Sequence, residues 1–380
     1  MDWQVPLSDI DLGPEEVSAV QQVLASKWLS MGEVTATFEQ HFAAFLDTPH
    51  AIAVSNGTAA LHIALKALGI GEGDEVIVPA LTFVASVNAV LYVGATPVFV
   101  DITSGDDLCL APEAVQQAIT PRTKAVMVVH YGGYPVDMGA IAATIEGKSI
   151  ALVEDAAHAP GAESSGRKLG SLGDAGCFSF FANKNMTTGE GGMLTTSRQD
   201  VYERARRLRS HGMTTVTWDR HRGHAYSYDV VELGFNYRTS ELNAALGIIQ
   251  LQKLPMNLER RRKLFEQYHE RLRSVSGVMV PFQTYRGVPA FHLLPILLED
   301  PISRTCVMQH LVTRGIQTSI HYPPVHQFSF YRNLAQGHTA SLPKTEDIGR
   351  RQLTLPLYAG MTESQVDYVC DCLAESLQKS

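Results

Sequence analysis

The sequence predicts an α/β protein in which a mainly parallel sheet is covered by helices on both faces and a smaller sheet-and-helix domain follows. Three observations predict it. Short apolar runs of strand length alternate with stretches of helical periodicity from residue 50 to residue 153. A small-residue turn, Ser55-Asn56-Gly57-Thr58, joins a strand directly to a helix. The chain has 380 residues, too many for one small core and suited to one large and one smaller domain. The expected division is residues 1–250 and 251–380, with residues 1–30 a candidate to pack against the smaller part.

Pro14 to Lys27 opens on Gly13-Pro14-Glu15-Glu16 and carries Val17, Val20 and Leu24 at helical spacing. A loop leads to a second helix bearing Phe38, Phe42 and Phe45, an aromatic stripe that belongs in the core. Ala51 to Val54 is a strand, and the helix after Thr58 places Leu61, Leu65 and Leu68 on one face. Strands then follow at Glu75 to Val78, Pro97 to Val100, Ala125 to Val129 and Ile150 to Val153. Helices at Phe83 to Leu91, Pro112 to Ile119 and Met138 to Ile145 separate them. In such a sheet ligands sit at the carboxyl ends of the strands, where Asp101, Tyr131 and Asp155 fall.

Residues 198–210 form a basic helix, and 214–229 a long segment rich in His, Arg, Trp and Tyr of the kind that often contacts ligands. Ser240 to Leu254 is a strong helix followed by a very charged stretch, Glu259 to Arg273, and this long helical region marks the expected boundary between the domains. Beyond it, strands are expected at Met279 to Phe282, His292 to Leu298 and Gln317 to His321, with helices at Ser303 to Arg314 and Glu363 to Leu377.

Hydrophobic residues make up 45% and charged residues 18%, the composition of a packed globular protein. A formal net charge of -8 argues against nucleic acid as a partner, and no apolar run approaches a membrane span. The start of the chain lacks a signal-peptide pattern, so a cytoplasmic location is expected. The five scattered cysteines suit reduced structural thiols, and no metal site is expected.

Chemistry concentrates between Gly176 and Met193. The apolar run Cys177 to Phe181 reads as a buried strand that delivers Lys184 to the point where Gly189, Gly191 and Gly192 begin. A desolvated lysine has a lowered pKa that frees its amine to attack a carbonyl, although a lysine capping a loop fits the same pattern. Asp155 ends another buried strand, where a carboxylate can grip a metal, act as a base or hold a proton on a heterocyclic nitrogen. The turn at Gly57-Thr58 presents free helix N–H groups suited to a phosphate, or an ordinary N-cap. Lysine, aspartate and phosphate seat together suggest pyridoxal 5'-phosphate.

In this order the chain also carries Trp28-Leu29-Ser30, Ser55 to Leu61, Pro79 to Ala85, Glu154-Asp155-Ala156-Ala157-His158, Phe178-Ser179-Phe180, Lys184-Asn185, Gly189 to Gly192, Gly234 to Arg238, His321-Tyr322 with His326, and Leu355 to Tyr358. That ordered set resembles the DegT/DnrJ group of pyridoxal-phosphate sugar aminotransferases, of the aspartate aminotransferase fold, over nearly the whole chain. The resemblance implies a three-layer α/β/α large domain with a mainly parallel seven-stranded sheet and a smaller C-terminal α+β domain, the fold type I arrangement.

The same resemblance implies roles residue by residue. Lys184 would hold the cofactor as an internal aldimine and shuttle a proton once freed, while Asp155 would pair with the pyridinium nitrogen. Phe83 would stack on one ring face and Ala157 lie against the other. Gly57, Thr58 and Ser179 would bind the phosphate, with Asn236 reaching it from a neighbouring subunit, so a homodimer with shared sites is expected. His158, at a position often Gln in the family, would lie near the phenolic oxygen, and a satisfied core histidine is the competing reading.

The implied reaction moves an amino group from an amino acid, L-glutamate by analogy, to a keto group of a nucleotide-linked hexose, with pyridoxamine 5'-phosphate between the halves. Family members that act as sugar dehydratases place histidine at the position of Lys184, which makes dehydration the lesser alternative. A non-catalytic sensor on the same fold is the other. Trp28, Ser30, Tyr322 and His326 are expected near the sugar, and Arg220, His221 or Arg222 at its diphosphate, because guanidinium suits bidentate phosphate contacts.

Overall fold

The computed structural model describes residues 3–215, 227–334 and 341–378. Helices α1 (Pro14–Ser26) and α2 (Glu33–Leu46) lead into β1 (His50–Val54), α3 (Gly57–Ala67), β2 (Glu75–Pro79), α4 (Val84–Tyr92), β3 (Thr96–Val100), α5 (Pro112–Ala118), β4 (Thr123–Val129), α6 (Met138–Ile145) and β5 (Ala151–Asp155). A two-residue hairpin, β6 (Glu163–Ser164) and β7 (Arg167–Lys168), precedes β8 (Ala175–Ser179), β9 (Gly192–Thr196) and α7 (Gln199–Arg209).

The main sheet has the order β1-β9-β8-β5-β4-β2-β3. Every pairing is parallel except those of β9, which runs antiparallel to β1 and β8. Both faces are buried, and the alternation along each strand shows why the runs read as continuously apolar. Val76 and Val78 enter the core beneath α3, α4 and α7, whereas Ile77 between them faces the core shared with the C-terminal elements. Ala51, Ala53 and Met193 meet Phe38 and Phe42 of α2 in a third cluster, so the expected aromatic stripe is in the core.

After α7 comes α8 (Glu241–Leu272), then β10 (Val278–Met279), β11 (Leu294–Leu298), α9 (Arg304–Thr313), α10 (Ser329–Leu334), α11 (Pro343–Arg351), β12 (Gln352–Leu355) and α12 (Glu363–Leu377). Strands β10, β11 and β12 form an antiparallel sheet. Two expected segments, Ser240 to Leu254 and the charged stretch after it, are one helix running through Pro255 and across residue 250. Proline removes a single donor there, while the charged half carries Arg262–Glu259 and Arg262–Glu266 pairs along its face.

Gln317 to His321 does not form the expected strand. It makes a single bridge, Ser319 to Thr354, beside that of the preceding Ile316 to Val5, and the Gln317 side chain takes the Leu7 amide. Four strands have no counterpart among the expected ones: the two-residue strands β6 and β7, β9, which starts in the glycine-rich stretch, and β12, which follows α11 without a break. The expected strand Cys177 to Phe181 lies two residues earlier, and Phe181 is exposed.

Candidate active site

Asp155 closes β5 between the parallel strands β4 and β8 and opens onto a cavity of about 770 Å³ at their carboxyl ends. Its Oδ2 accepts from the Ser86 hydroxyl at 2.7 Å and its Oδ1 from the Ala157 amide at 3.2 Å. Burial pushes the carboxyl above its ordinary range, against those two donors and the charges of Lys184 and His130.

Lys184 follows β8 in a tight turn, its amide donating to the Phe181 carbonyl at 3.0 Å, and its side chain lines the same cavity. Desolvation lowers its pKa to about 8, with Asp155 pulling the other way. Roughly a tenth of the amine is therefore unprotonated at pH 7, far more than for an ordinary lysine, which suits covalent chemistry at a carbonyl.

The opposite wall is the N-terminus of α3. Asn56 caps it, Oδ1 accepting from the Ala59 amide at 2.8 Å, and the Ala60 amide goes to the Asn56 carbonyl. The Gly57 and Thr58 amides have no acceptor among the described residues and border the cavity beside Ser179. Gly57 is needed here, since a Cβ would lie 2.9 Å from the Ser179 Cβ and 3.3 Å from the Phe178 carbonyl. Free amides at a helix start form an anion seat.

Phe83, 54% exposed and N-cap of α4, presents its ring to the cavity with its centroid 5.6 Å from that of Tyr322. Ala157 lines it too. His158 is buried with both ring nitrogens engaged: Nδ1 accepts from the Gly132 amide at 3.3 Å and Nε2 lies 3.1 Å from the Tyr322 hydroxyl. Burial, with the nearby charge of Lys184, holds its pKa well below the usual histidine value.

Gly57, Thr58, Phe83, Asp155, Ala157, His158, Ser179, Lys184 and Tyr322 therefore share one cavity. Trp28, Ser30, Asn236 and His326 do not line it. Ser30 bridges to Ser240 in a loop clamped by Glu241, whose carboxylate accepts from the Gly32, Val34 and Thr35 amides. His326 faces Glu346 at 3.2 Å, and Asn236 is exposed. Arg220, His221 and Arg222 lie outside the described residues. Asp101 caps α11 through the Thr345 amide at 2.8 Å, and the Tyr131 hydroxyl meets the His321 carbonyl, so neither faces the cavity.

Sequence reasoning passed over Thr82 and Ser86. Two hydroxyls four residues apart at the start of an otherwise apolar helix were the available signal.

The model of the DegT/DnrJ/EryC1/StrS aminotransferase family matches residues 11–374. The chain is similar to the aminotransferase TlmJ from Streptoalloteichus hindustanus, with 35% identity, 99% of each chain covered and a TM-score of 0.91. It is similar to Spr1654 from Streptococcus pneumoniae in its PMP form, with 30% identity, 99% of this chain and 100% of that one covered, and a TM-score of 0.92. DesI, solved in the presence of its TDP-sugar product, is 32% identical over 98% of this chain and 92% of its own, with a TM-score of 0.88.

Proposed function

The chain belongs to the DegT/DnrJ/EryC1/StrS aminotransferase family, and on that premise we propose that it is a pyridoxal-phosphate transaminase acting on a nucleotide-linked keto-deoxyhexose with L-glutamate as amino donor. The observation that carries this reading is the convergence of Lys184 and Asp155 on one cavity that also holds the free amides of α3. The PMP form of Spr1654 and the TDP-sugar product of DesI support the cofactor and substrate class.

The cavity fits the cofactor. Lys184, an amine with pKa about 8, would meet the aldehyde, the buried Asp155 carboxylate would meet a ring N–H, and the Gly57 and Thr58 amides with the Ser179 hydroxyl would hold the phosphate. Phe83 and Ala157 supply apolar surface for the two ring faces. When bound, pyridoxal phosphate supplies an electron sink conjugated to the reacting nitrogen.

The protein's own groups do the rest. Lys184 Nζ, once free, takes and returns the proton at the reacting carbon, a task suited to a pKa near the working pH. Asp155 would hold the ring N–H and favour its protonated form. His158 stays neutral and orients the Tyr322 hydroxyl toward bound ligands.

In this reading Asn236, exposed and outside the cavity, would reach the phosphate from a neighbouring copy, and the working unit would be a homodimer with shared sites, as the family resemblance implies. Trp28, Ser30 and His326, together with Arg220, His221 and Arg222, belong in this reading to the sugar-nucleotide side.

The test uses protein loaded with pyridoxal phosphate. Its visible absorption should disappear with L-glutamate and return with one of a panel of dTDP-, UDP- and GDP-linked keto-hexoses. Borohydride trapping and peptide mass analysis should locate the adduct on Lys184, and an adduct elsewhere sinks the assignment.

A further inference from the structure

We infer that Ser86 is a positioning residue for Asp155, its hydroxyl held in turn by Thr82 so that the carboxylate presents fixed lone pairs to the cavity. In its link to turnover this rests on the function proposed above.

Hydrogen-bond accounting sets the direction of the chain. An ionised carboxylate only accepts, so the Ser86 hydroxyl spends its one proton on Oδ2 at 2.7 Å. The Thr82 hydroxyl, 2.8 Å from Ser86 Oγ, is then the donor to Ser86. Thr82 is 1% exposed, Ser86 0% and Asp155 6%, so water does not substitute for either hydroxyl.

With the Ala157 amide on Oδ1, both oxygens are anchored and the carboxylate plane cannot swing. Protonating Asp155 would reverse the donor order along the chain. The arrangement therefore favours the anion, through a charge-assisted bond of the stronger kind. Ser86 lies in the first turn of α4, and that turn also begins with Phe83 at the cavity. One short segment thus supplies a ring to the ligand and a donor to the acid behind it.

The titratable groups around Asp155 are Lys184 after β8, His130 after β4, Cys177 on β8 and Tyr322. None of them hydrogen-bonds the carboxylate; among the described residues Ser86 is the only side chain that does.

The test has two arms. In cofactor-free protein labelled with carboxyl-13C aspartate, the Asp155 resonance is identified by its loss in Asp155→Asn, and Ser86→Ala should raise its titration midpoint by about one pH unit. In the second arm, pyridoxal phosphate binding is titrated by absorbance. Ser86→Ala should weaken it roughly tenfold, the worth of one such bond, with no further loss in Asp155→Asn. Thr82→Val should act in the same direction and less. An unmoved midpoint, or equal losses with and without the Asp155 carboxylate, makes Ser86 a packing residue and overturns the inference. A wild-type protein that binds no pyridoxal phosphate refutes the proposed function, while the first arm still decides the role of Ser86.

Discussion

The Tyr322 hydroxyl lies 3.1 Å from Nε2 of His158, and because the Gly132 amide donates to Nδ1 the imidazole proton must sit on Nε2. His158 thus donates to Tyr322, which leaves the phenol's own proton free to point into the cavity. Nitrogen NMR of histidine-labelled protein should show a neutral Nε2–H tautomer for His158 at pH 6. A doubly protonated ring at that pH would contradict the arrangement. Tyr322→Phe removes the acceptor and should cost roughly 1 kcal/mol of stability.

The same burial has a consequence for stability. His62 and His321 have pKa values lowered to about 4, and those of His158 and His292 are lowered well below the ordinary value, each chiefly by desolvation. Unfolded histidine gains a proton below about pH 6.5 while these four remain neutral. The unfolded state then binds more protons, so stability should fall as pH drops below about 6.5. Urea midpoints measured between pH 7.5 and 5 should decline steadily, and a flat profile would contradict the burial.

Lys184 gives a prediction of opposite interest. With a pKa lowered to about 8, its amine should react with an added aldehyde at a rate that rises with pH and levels off above that value. Asp155 stabilises the ammonium, so Asp155→Asn should move the half-point below 8. The measurement is borohydride-trapped adduct at residue 184 against pH. A half-point near 10 in the wild type would mean that the amine is solvated.

Much of this is legible in the sequence. The strands ending at Asp155 and preceding Lys184 are apolar on both faces, and a parallel sheet exposes their carboxyl ends to one edge, so linear order alone brings the two residues near each other. Asp101 and Tyr131 satisfied the same rule and proved otherwise engaged, because a strand end does not say which of two sides its residue takes. Ser86 was hidden for a different reason. Its hydroxyl has meaning only through Asp155, 69 residues away, and no local pattern reports that contact.

Glu154 precedes the site acid and faces the other way. Its buried carboxylate accepts from His130 Nε2 at 3.0 Å and from the Gly170, Leu172 and Gly173 amides at 2.7 Å each. Burial raises its pKa, but the bonds from His130 and the amides outweigh that and leave it lowered overall. Its stabilisation is complete above the unfolded value of about 4.5 and is lost as pH falls through the folded one. Glu154→Gln offers one acceptor oxygen to four donors and should lower stability by roughly 2–5 kcal/mol, since two buried donors lose their acceptor at about 1–3 kcal/mol each. Equilibrium urea unfolding at pH 7 measures it, and a change under 1 kcal/mol would show that the network contributes little.

Gly57 lies within the anion seat, where the start of α3 meets β8. Its missing side chain lets the start of α3 approach β8 closely, and an added Cβ would meet the Ser179 Cβ at 2.9 Å, closer than such atoms pack. Gly57→Ala must therefore move either the helix start or the Ser179 backbone, and the Gly57 and Thr58 amides move with it. Affinity for pyridoxal phosphate should fall on the order of tenfold or more, since positioned amides lose worth steeply with misalignment. Pyridoxal, which lacks the phosphate, should bind both proteins alike, because the Lys184 and Asp155 ends of the cavity are untouched. Titrating wild type and variant with both compounds separates the outcomes: equal losses for the two would place the damage in the fold and not in the anion seat.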